Sequence, residues 1–537
     1  MTTTDAARLV RSSASVALGT MLSRLSGLVR VGVLAYAVGR ATLADSYNLA
    51  NTTPNIIYEL IVGGVLSATL VPMFVDHLTR RDDEATSAVF SVALAVLGGL
   101  TLVGFLAAPA IAHLYSIDAD GATRDAQLEV ITFLVRCFVP QIFFYGLTAL
   151  AAAALHARRR YLAAAYAPIL NNVVVICILL AFTRVADGPP EAWENVEQIK
   201  DDRGLLLLLG LGTTAGIAAM ALALMPALAH AQVHLRPVFQ WRHAAVRRLV
   251  RLSGWTAGYV IANQITLLFV LVLANTGDAG DVSAYQYAFM FFQLPHGLFA
   301  VSLMTTTTPE LSRHAAAGDR AAFNEQFSTG MRLMTLIMVP AAILLAVVAQ
   351  PAVSVLVRGS FDANDAAVTA DVLQVFALGL LPFSIYLYTL RAFYAHQDTR
   401  TPFLVNVIEN AANIALALAL FSALGVQGLA LAYGGAYLIA AVLALWWAIQ
   451  RVGLDVGPVA GTLGKSAVAG CVLAAVAAPV AGAIGNDSTR DAVLATVAAA
   501  AVGGCAYFGV LAALRTNELA GLGRALFRRS DAPPVDV

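Results

Sequence analysis

From end to end the chain alternates between long apolar runs and short polar breaks, and the apolar runs have the length of membrane crossings. A helix needs about twenty apolar residues to cross roughly 30 Å of hydrocarbon. By that measure fourteen spans are expected, at 12–38, 46–75, 87–115, 128–155, 161–184, 204–229, 248–274, 282–311, 328–350, 367–395, 402–423, 427–449, 463–484 and 491–513. The runs are too long and too continuously apolar for a transmembrane β-barrel, whose strands alternate apolar and polar over about ten residues. Within a bilayer a chain must bond its own backbone, so these runs predict helices. The expected fold class is an all-α polytopic membrane protein of about fourteen transmembrane helices.

Composition agrees with the pattern. The 537 residues are 59% hydrophobic and only 12% charged, with a mean hydropathy of +0.75, which is more apolar surface than one soluble core requires. A formal net charge of zero says nothing about partners, and no nucleic-acid partner is expected. Cys137, Cys177, Cys471 and Cys505 fall inside predicted spans without CxxC spacing and read as small core residues rather than metal or redox groups. The first run is too long, and too interrupted by arginine, for a cleavable signal peptide.

Basic residues collect in short cytoplasmic loops, and here they choose an orientation. With the N-terminus inside, the cytoplasmic side holds Arg8, Arg11, Arg80, Arg81, the run Arg158 to Arg160, the cluster Arg236 to Arg251, Arg313, Arg320, Arg400, Arg451, Lys465 and the tail arginines. The outer side holds Arg40, Arg124, Arg184, Lys200, Arg203, Arg358 and Arg490, a ratio of about three to one. Both termini are expected in the cytoplasm.

The halves of the chain are related. Residues 139–176, spanning runs four and five, pair with residues 381–418 in runs ten and eleven, placing Pro140 with Pro382, His156 with His396 and Arg160 with Arg400. A weaker pairing joins 67–83 to 303–319 at nearly the same offset. Six spans per repeat is an even number, so the copies share a topology and are related by an axis along the membrane normal. The expected organisation is a first lobe at 1–230, a second at 231–455, two added helices at 456–515 and a cytoplasmic tail at 516–537. Transporters built from such repeats place substrate between them near mid-membrane and rock one against the other.

Candidate chemistry begins in the first span, which carries Arg24 and Arg30. A charged side chain at that depth costs about 2.5–3.5 kcal/mol by insertion scales, so it faces a bundle interior or a wet cavity. The two lie about 9 Å apart along a helix and roughly 120° apart around it, and Gly27 between them offers a place for a bend. Either they bridge to acids on neighbouring helices, or they receive an anionic cargo.

Enzyme motifs are missing: there is no GxxxxGK[ST], HExxH or nucleophile elbow, and GTLGK at 461–465 lacks the full spacing. No cofactor and no metal is expected. A membrane glycosyltransferase would need an acidic outer loop, for which 186–203 is the candidate, and the internal repeat argues against it.

The segments SRLSGLVR (23–30), ADSYNLANTTPNIIYELIVGGVLSATLVPMF (44–74), AYAPILNN (165–172), LPHGLFAVSLMTTTTPELSR (294–313) and AFYAHQDTRTP (392–402) resemble the MurJ/MviN family of lipid II flippases. That resemblance implies the fold of the multidrug/oligosaccharidyl-lipid/polysaccharide exporter superfamily, with two six-helix lobes around a cationic cavity and helices thirteen and fourteen lining a groove for a polyprenyl tail. It implies lipid II, an undecaprenyl-diphosphate-linked disaccharide peptide, as cargo moved from inner to outer leaflet of the bacterial cytoplasmic membrane by alternating access. Membrane lipids and the cell-wall synthesis machinery are the other implied partners. Another polyprenyl-linked saccharide, or a drug, is the alternative cargo on the same fold. Arginine far outnumbers lysine and alanine is abundant, which suggests a GC-rich genome such as that of an actinobacterium.

The implied substrate-binding residues are Arg24, Arg30, Asp45, Asn55 and Glu59. A guanidinium fork matches diphosphate oxygens and stays ionised. Proteobacterial relatives have an acid where this chain has Val31, an arginine where it has Glu59, and an arginine where it has Met290. Glu59 lies at the depth of Arg24, so it is expected either to pair with Arg24 or Arg30 or to take up a proton. Further on, Asn406, Glu409, Asn410 and Asn413 share a helix face. They serve either interhelical hydrogen bonding or a hard cation such as sodium, which some flippases of this family bind in the second lobe. Arg136, Arg332 and Arg391 lie within or near span ends, where such side chains can snorkel, and His296 follows Pro295, where it is expected either to mark a kink or to line the cavity.

Overall fold

The computed structural model describes residues 3–61, 83–116, 121–158, 160–186, 189–231 and 254–516. Every one of the fourteen expected spans is mainly helical in its described part, with short breaks at 139–140, 224 and 348. In chain order the crossings are α1 (Thr3–Val38), α2 (Thr42–Ile61), α3 (Asp83–Tyr115), α4 (Gly121–Phe138 and Gln141–Ala157), α5 (Leu162–Val185), α6 (Arg203–Ala223 and Met225–His230) and α7 (Gly254–Ala274). They continue with α8 (Asp281–Pro295, a π-helical turn at His296–Ala300, then Val301–Ala317), α9 (Arg320–Val347) and α10 (Ala363–Ala395). Next come α11 and α12, the two parts of Arg400–Val452, and finally α13 (Gly457–Ile484) and α14 (Thr489–Ala513). Among the described residues eleven helices are long and apolar enough to cross a membrane, and the extended structure is a single isolated bridge between Arg358 and Phe361.

The interruptions follow from residue chemistry. Pro140 lacks the N–H that would continue α4, and the helix restarts at Gln141. Gly425 adopts φ 54° and ψ −140°, a conformation open to glycine, and it separates α11 from α12 where two spans were expected. After Pro295 the helix widens into its π turn. There His296, 4% exposed, hydrogen-bonds Ser384 Oγ at 3.0 Å and packs on Phe383.

The chain forms two compact units. The first comprises residues 1–290, 356–365 and 406–429, and the second 291–355, 366–405 and 430–537. In the first, α1 lies along α5 and α5 along α6. Contact is close where Gly19 faces the Tyr166 ring, with no room for a Cβ. Small residues allow such approach, and close packing is what joins helices in lipid, where burial gives no net drive. In the second unit Gly379 of α10 meets Gly434 of α12 backbone to backbone. Phe292, Phe376, Phe383, Tyr433 and Tyr437 form a continuous aromatic cluster there. The helices α13 and α14 bury Leu473, Ala477, Ala499 and Tyr507 with Leu336 and Val339 of α9 and leave Val468 and Val497 exposed.

All four cysteines are free thiols. Cys137 is buried as expected, but Cys177, Cys471 and Cys505 are exposed, a correction to their reading as core residues. Apolar side chains on a membrane helix can face lipid as readily as protein, so apolarity alone does not place them inside. The GGxxSAxxVP motif at 63–72, the repeat partner at 67–82, Arg80, Arg81, the Arg236–Arg251 cluster and the tail beyond residue 516 lie outside the described residues.

Candidate functional site

The implied site residues all lie in the first unit, on α1 and α2. The two arginines are held in place from α5. Asn172 donates to the carbonyl oxygen of Ser23 at 3.2 Å and to Ser26 Oγ at 2.8 Å, and Ser26 Oγ donates to the same Ser23 carbonyl at 3.0 Å. This fastening grips the turn that carries Arg24. No bend is needed at Gly27, since α1 runs unbroken from Thr3 to Val38.

Arg24 is exposed and Arg30 half-buried, and neither makes an ion pair or hydrogen bond with a described residue. Arg30 lies within electrostatic reach of the hydroxyls of Tyr47 and Tyr145. Tyr145 also feels Glu59 and stacks on Tyr58 with centroids 4.7 Å apart. Arg30, Tyr47, Tyr58, Glu59 and Tyr145 therefore make one neighbourhood across α1, α2 and α4. The tyrosines were missed in the sequence, where they read as ordinary span residues; the FFYG run in α4 was the available signal. The expected pairing of Glu59 with Arg24 or Arg30 is not found among the described residues: Glu59 is exposed and unpaired.

Asn55 is half-buried and donates to the carbonyl oxygen of Asn51, one turn back, at 3.0 Å, next to Pro54. Asp45 does something different. It is 3% exposed, and its carboxylate accepts from the backbone N–H of Gly280 at 2.6 Å, the N–H of Ser283 at 2.8 Å and Ser283 Oγ at 2.7 Å. These are the free amides at the start of α8, so Asp45 caps that helix from α2.

Around this cap the chain is fastened tightly. Arg40 pairs with Asp365 at 3.1 Å and Asp281 at 3.6 Å, and Tyr287 donates to the Gly39 carbonyl at 3.1 Å. Gly39, Gly280 and Gly359 all have positive φ, and a Cβ on them would meet Ser360, Arg40 and Tyr36 backbone respectively. Only glycine combines that conformation with that proximity.

In the second half of the sequence, Asn406 and Asn410 each donate to Asn263 Oδ1 of α7 at 2.9 Å, the interhelical bonding that was one of the two roles expected of those asparagines. Asn263 was not singled out in the sequence, because a lone asparagine carries no spacing signal. No group of three or more acidic, histidine or cysteine residues that could hold a metal occurs among the described residues. Arg136 stacks on Phe105 and Arg332 bonds its own helix at Thr329.

Comparison with known proteins places this arrangement. The family model described as lipid II flippase MurJ matches residues 34–486. The chain belongs to the MurJ family. That match takes in Asp45, Asn55 and Glu59, while Arg24 and Arg30 lie ahead of it. A protein of Haemophilus influenzae named probable lipid II flippase MurJ is 29% identical over 411 residues, covering 74% of this chain and 78% of the relative. One of Vibrio cholerae with the same name is 28% identical over 438 residues, covering 79% and 80%. Among solved structures, a lipid II flippase MurJ in an inward closed conformation superposes with a TM-score of 0.74 at 21% identity, over 96% of this chain and 99% of that one. A multidrug resistance MATE family transporter of the MOP superfamily, inward-facing, superposes at 0.65 with 14% identity, over 80% and 94%. The fold is thus a MurJ and MATE-type transporter fold, and the MurJ family is a transporter family rather than an enzyme family.

Proposed function

We propose that this multi-pass membrane protein flips lipid II from the inner to the outer leaflet of the cytoplasmic membrane by alternating access. The observation that carries the reading is the MurJ family match over residues 34–486. It is supported by chemistry that the match itself does not cover. Arg24 and Arg30 are membrane-depth cations without an acidic partner among the described residues, and a diphosphate is the group whose paired oxygens fit guanidinium forks. Glu59, beside Tyr58 and Tyr145, shapes the same neighbourhood, and Asn55 lies one residue past the α2 proline. Asp45 acts on the site by holding the start of α8.

The polyprenyl tail lies along the exposed apolar faces of α13 and α14, where Val468 and Val497 meet lipid. Residues 1–230 and 231–455 act as the two rocking lobes, both termini are cytoplasmic, and the cell-wall synthesis machinery consumes the delivered lipid II.

The test is depletion of the protein in its host, with lipid II on intact cells read by an impermeant outer-face label. Loss of outer-face lipid II with accumulation inside, rescued by wild type but not by Arg24→Ala, is the expected result. Unchanged outer-face lipid II on depletion overturns the cargo assignment.

A further inference from the structure

The asparagine joint between α7 and α11 contains a carboxyl that the proposed cargo site does not use. Glu409 is 2% exposed, and no described lysine, arginine or histidine pairs with it. Its partner is Asn410 Nδ2, 2.9 Å from Oε2. That same nitrogen also faces Asn263 Oδ1 at 2.9 Å and the Asn406 carbonyl at 2.8 Å, so three acceptors compete for its two hydrogens.

Two further acceptors go without any donor: Asn406 Oδ1 and Asn413 Oδ1 are both buried and unbonded. They sit three residues before and four residues after Glu409, on its own face of α11, and their side chains are 0% and 4% exposed. Unmade bonds to buried polar atoms are costly, and so is an unpaired charge at membrane depth. The joint is short of donors and carries one acid too many. One proton on Glu409 corrects both faults.

Among the described residues no other charge competes for this role. From α7 the facing polar group is the neutral Asn263. From α8 it is Tyr285, 5% exposed, whose hydroxyl lies within electrostatic reach of Glu409. The remaining groups are the three asparagines of α11, and no charged side chain acts on the carboxyl. Asn406 and Asn410 turn their N–H groups inward onto Asn263, an arrangement that suits a neutral acid better than a metal ion, which needs oxygens turned inward.

We propose that Glu409 is the proton-binding site of the flipping cycle. In the conformation described here the carboxyl holds its proton and donates to Asn406 Oδ1 or Asn413 Oδ1; when the α7–α11 joint opens, the O–H bond breaks and the proton passes to water. This assignment rests on the flippase reading for its role in a cycle, but proton binding itself is measured without any transport.

Infrared difference spectra of the full chain in liposomes read protonated buried carboxyls directly. The expected result is a carboxylic-acid C=O band at neutral pH that is lost in Glu409→Gln, shifted in frequency in Glu409→Asp and the same in sodium and potassium buffers. Absence of a band belonging to Glu409 overturns the proposal, and so does removal of the band by sodium, which makes the joint a metal site. If Glu409→Gln fails to fold, the Glu409→Asp shift carries the assignment.

In proteoliposomes, one proton per cycle makes a one-unit pH gradient worth about tenfold in the steady-state ratio of lipid II between leaflets; Glu409→Gln removes that dependence. A gradient-independent ratio in the wild type, with the band intact, overturns the coupling role. No lipid II movement at all in the wild type, with the band intact, counts instead against the flippase reading and leaves the proton site standing.

Discussion

The α1–α5 and α7–α11 joints occupy corresponding places in the two halves of the sequence and have opposite electrostatic characters. Ser23 and Asn263 are 240 residues apart, the offset of the internal repeat, and each accepts from an asparagine of the helix four crossings later. At the first joint one asparagine, Asn172, grips the α1 backbone and leaves Arg24 and Arg30 open on the same helix. At the second, three asparagines share a helix with a buried acid, and no described cation pairs with it. Asparagines fasten both joints: on the proposed reading the first leaves charge available to a large anion, and the second encloses a carboxyl that is 2% exposed. The bonds differ too: the first acceptor is the Ser23 backbone carbonyl and the second the Asn263 side-chain oxygen.

The sharpest way to break this contrast is to remove the displayed charge. Hydrogen bonds to charged groups are worth about 1.5–3 kcal/mol, so Arg24→Ala or Arg30→Ala lowers lipid II exposure on cells about 10- to 100-fold. Thermal stability of Arg24→Ala stays within about 0.5 kcal/mol, as for other exposed positions without partners. Arg30→Lys recovers only part of the activity, because an ammonium cannot bind in a fork. A large fall in melting temperature with little loss of flipping would make these arginines structural.

Arg40, on the same stretch of chain, gives the opposite outcome. Its side chain is 11% exposed and pairs with Asp365 and Asp281, so Arg40→Ala costs about 2 kcal/mol of stability by leaving two acids unpaired. Denaturation in detergent checks it; an unchanged melting temperature would mean the latch carries no stability. Smaller effects separate the two joints. Asn263→Leu takes the acceptor from the buried Asn406 amide and costs about 1–2 kcal/mol, whereas Asn172→Leu costs about 0.5–1 kcal/mol, since Ser26 still bonds the Ser23 carbonyl. Equal or reversed losses would erase the distinction between the joints. The smallest effect is expected for Glu59→Gln, within about 0.5 kcal/mol. A loss above 1 kcal/mol would reveal a partner for its carboxylate.

Much of the architecture was legible in the chain. Span positions followed from run length, and the α11–α12 break lay where Gly425 interrupts the apolar sequence. The expected repeat pairs Pro140 with Pro382, and the two prolines behave differently: α4 breaks at the first, while α10 continues through the second. Neighbouring packing decides whether a freed carbonyl is re-satisfied, and local sequence does not contain that information. The pairing expected for Glu59 failed for a similar reason. Equal depth on two adjacent helices places residues at one level without fixing which way each faces.

Asp45 shows the same limit. Its residue type and place at the head of α2 marked it as significant, but its role in capping α8 depends on a loop more than two hundred residues away.

By itself the sequence determined that this is a helical membrane protein with arginines inside its first apolar run and MurJ family motifs, and it raised the expectation of an internal repeat. These properties follow from composition, period and spacing, which the bilayer reads along one dimension. Tertiary structure alone decided which polar groups meet. It left Arg24 and Arg30 without acids among the described residues, committed Arg40 to two of them, brought Asn263 to Asn406 and Asn410, and shut Glu409 away from every described cation. The physical reason is that hydrogen bonds and ion pairs act over a few ångströms and depend on direction, so they exist only once helices are packed and rotated into place.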